Sequence, residues 1–173
     1  TTGTTLAGSG QLMIIWGTGS GNTVNVFNNT FNNVTQNNTG LTQGIVATYA
    51  NANVYNNTIS NWTSTGNIAA LALGNTTTPN GSYYGNTISN LSSSAASGAV
   101  YGMYLANVAS GGTNAAYGNT ISGLSASGAT SPVVHGIYVN AGVTTNIYKN
   151  KIHSLSVSAA VTTTNAAVNG ITL

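Results

Sequence analysis

One eight-residue phrase returns five times along the chain and constrains its fold more than any other feature. The copies are Phe27-Asn28-Asn29-Thr30-Phe31-Asn32-Asn33-Val34, Tyr55-Asn56-Asn57-Thr58-Ile59-Ser60-Asn61-Trp62, Tyr84-Gly85-Asn86-Thr87-Ile88-Ser89-Asn90-Leu91, Tyr117-Gly118-Asn119-Thr120-Ile121-Ser122-Gly123-Leu124 and Tyr148-Lys149-Asn150-Lys151-Ile152-His153-Ser154-Leu155. Each reads aromatic, variable, Asn, variable, apolar, two variable, apolar, and the steps between copies are 28, 29, 33 and 31 residues. A period of this size marks units that cannot bury an apolar face alone and therefore stack on one another.

A second phrase follows each copy after a loop of Ser, Thr, Ala, Gly and Asn: Gly44-Ile45-Val46-Ala47, Leu71-Ala72-Leu73, Gly102-Met103-Tyr104-Leu105, Gly136-Ile137-Tyr138-Val139 and Gly170-Ile171-Thr172-Leu173. Ahead of the first copy, Leu12 to Trp16 is a short apolar run, Gly17 to Asn22 reads as a Gly-rich turn, and Thr23 to Phe27 alternates as a half-buried strand does. One repeat is thus predicted as strand, turn, strand, sharp turn, strand, loop. Three short strands per repeat with no helical period make the chain all-β, a solenoid of about five coils plus a partial sixth. Residues 1–10 are a lead-in or incomplete coil, and 11–173 form a single domain.

Within a coil, Asn29, Asn57, Asn86, Asn119 and Asn150 are expected at the sharp turn, because Asn tolerates the left-handed backbone region best after Gly. Stacking places them one above another, so their amides form a ladder. Val26, Val54, Tyr83, Ala116 and Ile147 precede the Asn by three positions and point inward. Phe31, Ile59, Ile88, Ile121 and Ile152 follow by two and point inward as well. The intervening rings, Phe27, Tyr55, Tyr84, Tyr117 and Tyr148, then form an outer stripe that serves either as a contact surface or simply as rings stacked on one another. Tyr104 and Tyr138 begin a second stripe.

The pairing of Gly-Ile-Tyr-Val with Ile-Tyr-x-Asn-x-Ile resembles the right-handed parallel β-helix repeat of the pectate-lyase-like superfamily, in the form found in large secreted bacterial surface proteins. The resemblance covers Leu12 to Leu173. It implies a right-handed parallel β-helix and an extracellular or cell-surface location, but the fold hosts enzymes, adhesins and passive stalks alike. The enzymes of that superfamily use acidic residues, and this chain has none.

That absence excludes much chemistry. Among 173 residues there are no Asp or Glu, two Lys or Arg and no Cys. Two-carboxylate glycoside hydrolysis, carboxylate calcium sites and Ser-His-Asp catalysis all lack a required group. Neither a catalytic centre nor a metal or other cofactor is expected. His135 and His153 read as outward surface histidines, and Lys149 and Lys151 as a solvated pair that at most blunts edge-to-edge stacking. A charge of +2 set by two lysines is no basis for nucleic-acid binding, and no apolar run approaches the ~20 residues of a membrane span. The Thr-Ile-Ser triplets at 58, 87 and 120 set hydroxyls on one outer face, as in some ice-binding proteins. That array is short, turns to Asn32 in the first coil and breaks at Lys151 and His153. Asn28, Asn33, Asn37, Asn56, Asn61, Asn75, Asn80 and Asn90 lie in glycosylation triplets that an Asn/Thr/Ser-rich chain produces by chance.

An uncharged solenoid that opens and closes on equivalent strands, with no polar cap at either end, asks for partners. The leading expectation is a non-catalytic extracellular structural element, a subunit or segment of a head-to-tail filament, stalk or surface layer. Its partner is a second copy or further repeats, and Gly170, Ile171, Thr172 and Leu173 form the assembly strand. The alternative is a passive adhesin holding glycan on the outer aromatic stripe.

Overall fold

A computed structural model describes residues 4–6, 11–73, 80–106, 112–128, 130–141, 144–158 and 167–173. The rest of the lead-in, 1–3 and 7–10, lies outside these, as does Asn75. Described are fifteen strands and no helix: β1 (Thr4–Leu6), β2 (Leu12–Phe27), β3 (Thr30–Gln36), β4 (Thr42–Tyr55), β5 (Thr58–Ser64), β6 (Ile68–Leu73), β7 (Ser82–Tyr84), β8 (Thr87–Ser93), β9 (Ala99–Ala106), β10 (Thr113–Tyr117), β11 (Thr120–Ala126), β12 (Val133–Ala141), β13 (Thr144–Tyr148), β14 (Lys151–Val157) and β15 (Ala167–Thr172).

Every strand pairing among these elements is parallel, and each joins one coil to the next. A six-stranded sheet runs β1-β3-β5-β8-β11-β14, and a nine-stranded sheet runs β13-β10-β7-β4-β6-β9-β12-β15 with β2 on β4. The second sheet is really two faces of the coil. Strands β2 and β4 pass from one face to the other without a break, and the described residues of later coils supply the two faces as β6 and β7, β9 and β10, β12 and β13. The Gly17–Asn22 turn is therefore corrected. It is a bend inside β2, where register jumps between Gly19 and Thr23, because an irregularity re-aims a strand without ending its pairing.

The protein is a parallel β-solenoid of about four turns, not five and a fraction. Five copies of a marker enclose only four complete circuits, and the residues before Asn29 and after Asn150 belong to partial ones.

The core is the stack of inward columns. Phe31, Ile59, Ile88, Ile121 and Ile152 lie in register across the six-stranded sheet, opposite Ile15, Ile45, Leu71, Met103, Ile137 and Ile171. Middle members of both columns are fully buried, whereas Ile171 on the edge strand is 48% exposed. Its expected place in the ladder holds in register only.

Recurrent glycines set the thickness of this core. A Cβ at Gly102 would lie 2.6 Å from the Gly136 carbonyl oxygen and 2.7 Å from Cγ2 of Ile121, and one at Gly136 would meet the Gly170 oxygen and Ile152 in the same way. The faces approach closely because this position carries no more than a methyl, as at the fully buried Ala70.

Candidate functional site

Turn geometry corrects the expected role of the ladder asparagines. The left-handed residue is the one before each: Asn28 (φ 56), Asn56 (φ 54), Gly85 (φ 63), Gly118 (φ 62) and Lys149 (φ 54). A second left-handed position, four residues after each ladder Asn, bends the six-stranded sheet at Asn33, Asn61, Asn90, Gly123 and Ser154. Sequence reasoning missed it, although Asn-Asn-Asn-Gly-Ser in one slot was its signal.

Asn29, Asn57, Asn86, Asn119 and Asn150 are instead the hydrogen-bonding spine. Each Nδ2 donates to Oδ1 of the next, at 2.9, 3.0, 3.0 and 2.9 Å. The same Oδ1 accepts from the backbone N–H of the residue below, at 2.9 to 3.1 Å. The other amide hydrogen of Asn57, Asn86, Asn119 and Asn150 goes to a main-chain oxygen one coil back, on Val26, Val54, Tyr83 and Ala116. Every amide thus satisfies turn backbone that would otherwise be buried unpaired.

Outside the core, Phe27, Tyr55, Tyr84, Tyr117 and Tyr148 form one continuous stack. Successive centroids are 5.0, 4.9, 5.0 and 5.0 Å apart and the planes lie within 3°, 1°, 7° and 2° of parallel. The outer stripe exists, and its ring faces lie against neighbouring rings. Burial, and then the neighbouring Tyr148 and Tyr84 phenols, hold the Tyr117 hydroxyl above its ordinary pKa.

A second aromatic group lies on the outside of β9 and β12. Tyr104 and Tyr138 stack at 5.5 Å as expected, but Tyr101 and His135 join them. His135 is 8% exposed, lies almost parallel to Tyr101 at 5.3 Å, and has Nδ1 2.8 Å from Oγ1 of Thr172. The expectation of two plain surface histidines is corrected for His135, whose burial lowers its pKa; His153 is exposed. Strict alternation hides this cluster, since residues three apart on a strand face opposite ways. In β9 Gly102 and Met103 are buried in succession, whereas Tyr101 and Tyr104 on either side of them are both partly exposed and meet edge to face at 5.1 Å.

Gly170 to Thr172 belong to β15, which pairs with β12 through Ile137 with Ile171 and Tyr138 with Thr172. The Thr and Ser of the three triplets stand in register as two columns, Thr58-Thr87-Thr120 and Ser60-Ser89-Ser122. Lys149 and Lys151 are exposed, and among the described residues no three potential metal-ligating side chains of His, Cys, Asp or Glu come together. No family model, curated protein or solved structure matches the chain.

Proposed function

We propose that this chain is a non-catalytic, extracellular structural solenoid, a segment or subunit that continues head to tail into a filament, stalk or surface layer. One observation carries the proposal: three inward columns that are buried in the middle coils lie exposed along the edge strand β15. Val134 and Ile137 are 0% exposed and Leu105 is 1%, whereas Val168, Ile171 and Leu173 are 47%, 48% and 89% exposed. Full burial of such a side chain from water is worth about 1.5 to 3 kcal/mol, and covering the exposed half of Val168 or Ile171 about half of that. The spine supports the same conclusion. Among the described residues, the Asn150 backbone N–H lacks the Oδ1 acceptor that every earlier ladder Asn receives. Gly170 carries the glycine of its column although nothing lies within 4 Å of its would-be Cβ.

The next coil comes either from further repeats or from an identical copy. With no acidic residue and two lysines, charge repulsion does little to oppose the second route. The Asn spine and the Gly-Ile phrase support, as part of this proposal, a kinship with the right-handed β-helices of the pectate-lyase-like superfamily. A glycan-gripping adhesin is served less well, because Tyr55, Tyr84 and Tyr117 have a ring against each face and present mainly their edges.

Sedimentation and electron microscopy of the 173-residue chain over a concentration series test the head-to-tail route. Fibres one solenoid wide are expected, and Ile171→Lys with Leu173→Lys should abolish them. A monomer at every concentration overturns assembly between copies.

A further inference from the structure

We propose that the tyrosine column Tyr55-Tyr84-Tyr117-Tyr148 is a site of oxidative phenol coupling, at which one-electron oxidation staples consecutive coils through carbon–carbon bonds. Four tyrosines on four successive coils are aligned residue for residue at their Cα positions. Their rings are parallel within 7° and about one strand spacing apart. All four stand on the outer face, none fully buried, where an oxidant reaches them and a ring is free to tilt toward its neighbour. Their hydroxyls have no hydrogen-bond partner among the described residues. Tyr83, by contrast, is buried with its hydroxyl 3.4 Å from Oδ1 of Asn114, and the Tyr138 hydroxyl donates to Asn140.

The chemistry balances with hydrogen peroxide and a haem peroxidase as the oxidant class. Each of two adjacent phenols loses an electron and its hydroxyl proton. The resulting radicals pair between the ring carbons ortho to oxygen, and the two ring hydrogens move to the oxygens to restore both phenols. One peroxide accepts the two hydrogen atoms lost overall and becomes two waters. Holding the partners side by side makes a bimolecular coupling intramolecular, which favours it strongly over coupling between chains. A chain without cysteine has no disulfide to do this work, and a staple here ties coil to coil at the turn that the Asn spine already organises.

The test treats the intact chain with horseradish peroxidase and hydrogen peroxide, then maps cross-linked peptides and reads dityrosine fluorescence on the monomer fraction. Links between Tyr55 and Tyr84, Tyr84 and Tyr117, or Tyr117 and Tyr148 are expected, each with the loss of two hydrogen atoms. Their yield should exceed that of the urea-unfolded chain by on the order of tenfold or more. Tyr84→Phe with Tyr117→Phe removes every adjacent phenol pair and should abolish the column links with an unchanged circular dichroism spectrum. Phe27 already stacks on Tyr55 at 5.0 Å and 3° in this column, so the variant retains the stack. Coupling confined to Tyr101, Tyr104 and Tyr138, coupling only between chains, or equal yields folded and unfolded would each overturn the proposal.

Discussion

Asn86 shows what one side chain does at the turn. Its Oδ1 accepts from both the backbone N–H and the Nδ2 of Asn57, at 3.0 Å each, while its own Nδ2 donates to the Val54 oxygen at 2.8 Å and to Asn119. With the residue 1% exposed, water cannot replace these partners. Asn86→Ala leaves two donors and an acceptor unmet, at about 1 to 3 kcal/mol for each buried group, so urea denaturation should show a loss of about 3 kcal/mol or more. His135 acts through its proton. Burial against Tyr101, Tyr138 and Thr172 holds its pKa below the ordinary value of about 6.5. Above that value both folded and unfolded chains carry a neutral ring, and the stability is fully present. As pH falls below it, the unfolded chain takes up a proton first and stability declines until the folded group also titrates. Of the neighbouring phenols in this cluster, Tyr101 and Tyr104 are pushed up by burial, further from that range. Thermal melts from pH 8 to 5 should show the decline in the natural chain and in His153→Ala, and should lose most of it in His135→Phe.

A strand of this solenoid is stabilised chiefly by the coils above and below it. Ile121 is sealed between Ile88 and Ile152 in its own column and faces the Gly102 backbone across the core. Ile152 has its next neighbour on one side only and is partly exposed. Ile121→Ala should therefore cost about 2 to 5 kcal/mol, and Ile152→Ala clearly less. Denaturation midpoints of the two variants check the gradient, and equal losses would contradict a stack whose burial fades toward β14 and β15. The glycine position at Gly102 and Gly136 belongs to this scale too. Buried next to Met103 and without a side chain, Gly102 permits the close approach of the faces, and Tyr101 and Tyr104 flank this buried pair on the outside.

At the scale of the whole molecule, stability follows from repetition. Identical contacts between neighbouring coils add along one axis, so each coil depends on having a neighbour, and an uncovered coil is the weak point. The absence of carboxylates acts here rather than at any single residue. Almost nothing on the surface repels a second copy, so on the proposed head-to-tail route the concentration needed for assembly should be governed by the apolar edge of β15. The lysine substitutions at Ile171 and Leu173 address that edge directly.

The sequence by itself determined the repeat, its three strands, the Asn spine and the inward columns, because each is written as a fixed residue type at a fixed step and a parallel stack copies that step faithfully. It did not determine which turn residue takes the left-handed conformation, since two neighbouring Asn, as at 28 and 29 or 56 and 57, serve either role until the hydrogen bonds are closed. Nor did it reveal that β2 runs unbroken around a corner where Gly17 to Asn22 suggested a turn, that four rather than five circuits close, or that His135 is covered. Those features depend on where bulges fall and on which rings from adjacent coils lean over a given position. Such contacts join residues some thirty apart in the chain, and only the closed solenoid brings them together.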